Sequence, residues 1–184
     1  MKTLRVLLLT LSLFGAINLN AQNPPAADAV LKKGIAVAGV ENKKVMLIFH
    51  ASWCGWCHKM DTSLNDVAVK KFFNDNFVTV HITVLESKGK ENLENPGGRA
   101  LMEKYNGKDQ GLPYWVILDK NGSMLFDSQI RTTQADGSLK GSNVGCPASQ
   151  KEVDHFITIL KKVTHLDASQ LDIIAKRFRQ NEAN

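Results

Sequence analysis

Two cysteines three positions apart, in Trp53-Cys54-Gly55-Trp56-Cys57, stand directly after the apolar run Val45-Met46-Leu47-Ile48-Phe49. A run of that length reads as a buried strand, and His58-Lys59-Met60-Asp61-Thr62-Ser63-Leu64 can continue as a helix. The pair therefore falls on the first turn of a helix that leaves a strand, and at this spacing it can close a small disulfide ring. Backbone N–H groups without helical partners, together with the helix dipole, stabilise a thiolate on the first cysteine. A thiolate attacks disulfides and a thiol does not. Strand, Cys-x-x-Cys and helix in that order form a redox signature.

The rest of the chain supplies elements to match. Residues 26–40 have helical spacing at Val30, Val37 and Ala38, interrupted by Gly34 and Gly39. Residues 44–51 are the buried strand, and Asn65-Asp66 can cap a short helix through Phe73 that Asn74-Asp75-Asn76 would end. Residues 77–85 alternate Val78, Val80, Ile82 and Val84 with Thr79, His81 and Thr83, the period of a strand. A polar stretch, 86–98, reads as an exposed loop, and 99–105 as a helix stopped at Asn106-Gly107. Residues 114–118 and 123–127 read as strands joined through the turn Lys120-Asn121-Gly122. Residues 128–145 form an insertion containing Gly and Ser. The amphipathic stretch 149–163 carries Val153, Phe156, Ile157, Leu160 and Val163 on one stripe, and Asp167 can cap a last helix near 167–180. Strand, helix, strand, helix, hairpin, helix is the order of a central mixed β-sheet flanked by helices, an α/β three-layer sandwich.

Residues 49–60, Phe-His-Ala-Ser-Trp-Cys-Gly-Trp-Cys-His-Lys-Met, resemble the active-site segment of the thioredoxin superfamily. They are most similar to exported thioredoxin-like proteins akin to the C-terminal domain of the membrane thiol–disulfide interchange protein. A second segment agrees: Gly111-Leu112-Pro113-Tyr114-Trp115-Val116-Ile117-Leu118-Asp119 is similar to the cis-proline loop of that family and its following strand. The resemblance spans roughly residues 27–163. It implies a thioredoxin-like fold and a thiol–disulfide oxidoreductase that reduces or exchanges disulfides in protein substrates, with a further redox partner and no cofactor.

Roles follow for single residues. Cys54 is the expected exposed nucleophile, and Cys57, one turn into the helix, the buried sulfur that resolves the mixed disulfide. The resemblance implies that Pro113 is cis and that Leu112 beside it pairs with the substrate through its backbone. Trp53 and Trp56 pack around the turn and line the substrate groove. His50 and His58 are titratable neighbours able to tune or shuttle protons. Two positions depart from the pattern of similar thioredoxins. Ile48 replaces a buried acid six positions before Cys54, so water or a histidine must take over deprotonation of the resolving thiol. Trp56 replaces a proline, and the dipeptide between the cysteines strongly influences reduction potential. Gly55-Trp56 thus leaves the direction of electron flow open, with a lean towards a reductant or isomerase-like role.

Length and composition set the outer bounds. With 184 residues and 43% hydrophobic content, the chain can bury one sizeable core. Residues 1–21 read as a secretory signal peptide: Lys2 and Arg5 lead, 6–17 are almost wholly apolar, and Asn18-Leu19-Asn20-Ala21 can end in a cleavage site. Residues 22–184 then form a single exported domain, periplasmic or extracellular, that is not held in the membrane after cleavage. Removal takes two basic residues and no acidic one, lowering the formal charge from +5 to +3. No basic stripe interleaved with aromatics points to nucleic acid. Three cysteines in an exported chain this long do not make a disulfide framework, which favours a catalytic pair.

Three other readings compete. Cys54-Gly55-Trp56-Cys57-His58 matches the attachment motif of c-type haem, but such a site needs an axial ligand and a mostly helical pocket. Zinc held by Cys54, Cys57, His58 and Cys146 would need the last two brought close. A non-catalytic binding or chaperone module on the same fold is the third. Cys146 itself, in Gly145-Cys146-Pro147, reads as a buried free thiol separated from Cys54 by the sheet.

Overall fold

A computed structural model describes residues 23–182, so the expected signal peptide lies outside the described residues. The central sheet contains β1 (Lys44–His50), β2 (Phe77–Thr83), β3 (Tyr114–Leu118) and β4 (Met124–Asp127), in the order β2-β1-β3-β4. β1 runs parallel to β2 and antiparallel to β3, which pairs antiparallel with β4. The mixed sheet carries helices on both faces. This is the thioredoxin fold expected from the sequence.

Side-chain alternation along β1 divides the core. Val45, Leu47 and Phe49 point to one face, where they meet Ala27, Leu31 and Ala38 of α1 (Ala27–Glu41) and Leu101 and Met102 of α4 (Gly98–Lys104). Met46 and Ile48 point to the other, against Met60 and Leu64 of α2 (Gly55–Leu64), Phe73 of α3 (Lys70–Asn76) and the stripe of α5 (Gln150–Val163). Both faces of β1 are covered, which explains why its sequence is a continuous apolar run rather than an alternation. Gly34 does not break α1. A Cβ there would stand 2.3 Å from Cγ2 of Val80, so the bare backbone lets the helix lie close on β2.

The last helix, α6 (Ala168–Arg179), is part of the core. Its Phe178 ring lies 5.0 Å from Phe156, which in turn meets the Trp115 ring edge-on at 5.3 Å. Both α5 and α6 start with capping boxes, Ser149 with Glu152 and Asp167 with Gln170, which satisfy amide donors at each helix start.

Local expectations need correcting in two places. The helix expected from Asn65-Asp66 through Phe73 begins only at Lys70 and runs through Asn76. Asp66 instead accepts from the Ala68 amide at 3.0 Å and pairs with Arg177 at 2.6 Å, which commits it to a turn and a long-range contact. Within the polar stretch 86–98, Glu86 is buried rather than exposed. The 128–145 insertion is an ordered antiparallel hairpin of β5 (Gln129–Thr133) and β6 (Leu139–Asn143), separate from the main sheet. Among the described residues no helix is long and apolar enough to cross a membrane.

Candidate active site

β1 delivers the chain to the site, and α2 receives it. Cys54 is the N-cap of α2, in extended backbone conformation, and its sulfur is bonded to that of Cys57 with Cα atoms 5.2 Å apart. The Cys57 amide donates to Cys54 Sγ at 3.1 Å. That donor lies in the first turn of α2, where it is shared between the Cys54 carbonyl at 3.0 Å and the Cys54 sulfur, and it reaches the first sulfur and not the second. On reduction the same N–H would favour the Cys54 thiolate.

Exposure does not separate the two sulfurs as expected. Cys54 and Cys57 are each 2% exposed, packed with Ala51 and with Leu112 against them. The ring closes Cys54 inward under Leu112, so the asymmetry between the cysteines lies in the amide hydrogen bond. The aromatic neighbours are the exposed part: Trp53 is 56% and Trp56 46% accessible. Trp53 Nε1 donates to the Leu85 carbonyl at 2.8 Å, and Lys59 Nζ sits 4.2 Å from the centre of the Trp56 ring.

The Leu112–Pro113 bond is cis, and Pro113 is buried at the start of β3. A cavity of about 710 Å³ opens beside this loop, bounded by Trp56, Gln110, Leu112, Ser142, Asn143 and Cys146. The structure thus brings Cys54, Cys57, Trp56, Leu112 and Pro113 to one place, with Trp53 on the β2 side of the turn.

The histidines divide. His58 is exposed and donates through Nε2 to the Ser52 carbonyl at 3.1 Å, a tether across the turn. His50, at the end of β1, lies 3.2 Å from the Thr83 hydroxyl and edge-on to His81 at 5.1 Å. Burial first, and His81 second, hold the His50 imidazole below its ordinary value. His81 bonds Asp61 of α2 at 2.8 Å. Burial pushes the Asp61 carboxyl up, but the hydrogen bond and charge of His81 outweigh it and leave the group below its usual range. Ile48 is buried in the α2-side core, so the position of the missing acid is apolar.

Sequence reasoning missed Glu86. This carboxylate is 7% exposed and accepts from Ser52 twice, from the amide at 2.6 Å and the hydroxyl at 2.7 Å. It fixes the turn just before Cys54. Nothing near it in sequence marks it, because its partner lies 34 residues away.

Cys146 is buried and free, but not where expected. It shares the core of the α2 face with Ile48 and Met60, so the sheet does not separate it from α2. The chain returns to that face after β6 to begin α5. Burial pushes its thiol up to about 12, and Asn181 Nδ2 donates to its sulfur at 3.3 Å. A thiol kept protonated is a poor nucleophile. Cys146→Ala is expected to leave disulfide-exchange turnover within twofold and to cost about 1–2 kcal/mol in a denaturant melt. A loss of turnover exceeding the loss of stability would contradict a packing role. Nor does Cys146 join Cys54, Cys57 and His58. Among the described residues no group of three or more His, Cys, Asp or Glu side chains is placed to hold a metal ion.

The family described as "Thioredoxin-like domain" matches residues 31–134. Among solved structures, the chain is similar to a disulphide isomerase from Xylella fastidiosa Temecula1, at 26% identity and TM-score 0.47 over 61% of this chain and 80% of that one. It is also similar to the oxidised C-terminal domain of DsbD from Neisseria meningitidis, at 21% identity and TM-score 0.44 over 77% of this chain and 99% of that one. A thioredoxin from Thermus thermophilus aligns at 21% identity and TM-score 0.40, over 77% of this chain and 88% of that one. A search of curated proteins finds no match. A four-stranded mixed sheet between helices, a Cys-x-x-Cys disulfide on the first turn of α2 and a family match over 31–134 lead to one assignment: the chain belongs to the thioredoxin-like domain family.

Proposed function

We propose that this chain is an exported thiol–disulfide oxidoreductase acting on protein substrates in the periplasm or outside the cell. The observation that carries the reading is the Cys57 amide aimed at Cys54 Sγ, within a disulfide that packs against the cis-proline loop. In the reducing direction, the Cys54 thiolate attacks one sulfur of a substrate disulfide. The S–S bond breaks, a mixed disulfide forms, and the leaving substrate thiolate takes a proton. The Cys57 thiolate then attacks Cys54 Sγ, releasing the second substrate thiol and closing the Cys54–Cys57 bond. Two electrons pass to the substrate, and a separate dithiol partner must return them. Every step moves electrons between sulfurs, so the exchange calls for no cofactor. Trp53, Trp56, Leu112 and Pro113 are proposed to contact the substrate.

His50 stands at the end of β1 beside His81 of β2, which bonds Asp61 of α2, and His50 is the proposed proton-tuning group in place of the acid absent at Ile48. His58 is engaged with Ser52, which favours a tethering role. The sequence resemblance of residues 49–60 to exported thioredoxin-like proteins supports a place in exported disulfide exchange, with an electron donor of the dithiol class.

Insulin reduction with dithiothreitol as donor tests the reading. The wild-type chain is expected to accelerate precipitation of the insulin B chain, and Cys54→Ser to fall to the uncatalysed rate. Equal rates for both proteins would leave a non-catalytic binding module on the same fold.

A further inference from the structure

Asn143, the last residue of β6, makes more contacts with the cis-proline loop than its place in an inserted hairpin would require. Its side-chain Nδ2 donates to the Gly111 carbonyl at 2.7 Å and to the Pro113 carbonyl at 3.0 Å. Its Oδ1 accepts from the Ser128 hydroxyl at 2.6 Å and from the Gly145 amide at 3.0 Å. Its own amide donates to Gln110 Oε1 at 3.1 Å. A carboxamide offers two donors and two acceptor sites, and all four are used here. The group has one orientation that satisfies its surroundings.

The pattern is selective. The carbonyls on either side of Leu112 are both taken by Asn143, while Leu112 itself makes no backbone hydrogen bond among the described residues. Its backbone therefore stands as an unpaired edge beside the disulfide, facing the cavity that Trp56 and residues 142–146 also bound. Such an edge can pair with one extended strand of a polypeptide.

The hairpin that carries Asn143 is itself anchored. Gln129 Nε2 donates to the Asn106 carbonyl at 2.9 Å and to the Tyr114 hydroxyl at 3.1 Å. Arg131 makes a two-pronged pair with the buried carboxylate of Asp127. Gly145, at φ +63°, turns the chain so that its amide reaches Asn143 and its carbonyl accepts from Trp115 Nε1 at 2.8 Å. β5–β6 thus acts as a rigid strut from the sheet to the loop.

We propose that Asn143 is a positioning residue: it holds Gly111 and Pro113 from the hairpin side, so that the Leu112 backbone is presented to an extended polypeptide next to Cys54. This rests on the oxidoreductase reading above. It separates polypeptide disulfides, which need the Leu112 edge, from small disulfides, which need only the sulfurs.

Asn143→Asp tests it with almost no change of shape. The variant keeps an acceptor for Ser128 and Gly145 but sets a carboxylate oxygen against the Gly111 and Pro113 carbonyls. Asn143→Ala, which removes the contacts without repulsion, serves if the aspartate variant does not fold. Each variant is assayed on insulin and on a small aromatic disulfide, with far-ultraviolet circular dichroism to verify the fold. For the folded variant, kcat/KM on insulin is expected to fall about ten- to a hundredfold, as for a misplaced binding group, while the small disulfide changes less than twofold. Equal losses on both substrates would show a general structural role and overturn the proposal, and so would an undiminished insulin rate. Unfolding of both variants would likewise assign Asn143 to stability alone and overturn it. A wild-type chain inactive on both substrates would instead remove the oxidoreductase reading, and this inference with it.

Discussion

Cys57→Ser is expected to capture oxidised substrate and keep it. With the resolving sulfur gone, the mixed disulfide on Cys54 can be cleaved only by an outside thiol. The second step is intramolecular in the native chain, where the Cys54 and Cys57 Cα atoms are 5.2 Å apart. Paired groups held this way gain orders of magnitude over bimolecular attack, so release should slow by about a thousandfold or more. On a non-reducing gel the variant should migrate with its partner's mass added, and dithiothreitol should restore the monomer band. The double variant Cys54→Ser, Cys57→Ser should trap nothing. Exposure does not assign the nucleophile, since both residues are covered equally. The assignment rests on the Cys57 amide bonded to Cys54 Sγ. Trapping by Cys54→Ser in place of Cys57→Ser would reverse the two roles.

Trp115→Ala should produce the largest loss of stability of any single side-chain truncation considered. Trp115 is fully buried near the start of β3, opposite Ile48, and packs edge-on against Phe156. Truncation would leave a cavity between the sheet, α5 and α6, at a cost of about 3–5 kcal/mol. It would also remove the hydrogen bond that Trp115 Nε1 donates to the Gly145 carbonyl. Against a total of roughly 5–15 kcal/mol for a domain, the midpoint of a urea melt should fall sharply. Trp115→Phe should recover much of the packing but not the hydrogen bond, and so lie between the two. A loss below about 1 kcal/mol for the alanine variant would contradict the packing described.

What the sequence revealed and what it hid follow a physical division. β1 was legible because Val45 to Phe49 are all apolar, and burial on both faces of a central strand demands that. The apolar stripe of Val153, Phe156, Leu160 and Val163 announced α5, and Asp167 announced α6 as its cap. The Cys54–Cys57 ring and the cis bond before Pro113 also agree with the reading of their local motifs. The misses involve partners far along the chain. Glu86 reads as a polar loop residue until Ser52 is placed beside it. Asp66 looks like a helix cap, but Arg177 claims one of its oxygens from 111 residues away. Asn143 is one polar residue in an insertion until the hairpin carries it to Gly111, 32 residues back. The side of the sheet on which Cys146 lies depends on where β6 returns the chain, which no local pattern states. Exposure of Cys54 depends on Leu112, another distant contact.

Reversible cycling of Cys54 and Cys57 is tested most directly by their reduction potential, measured by trapping thiols after equilibration in glutathione and dithiothreitol buffers. The pair is expected to titrate as one two-electron couple above about −300 mV, the range in which thioredoxin-type centres operate. A value near about −270 mV would fit a reductant, and one near about −120 mV an oxidant. A bond that stays closed in buffers poised below about −300 mV would identify a structural disulfide and contradict the redox assignment.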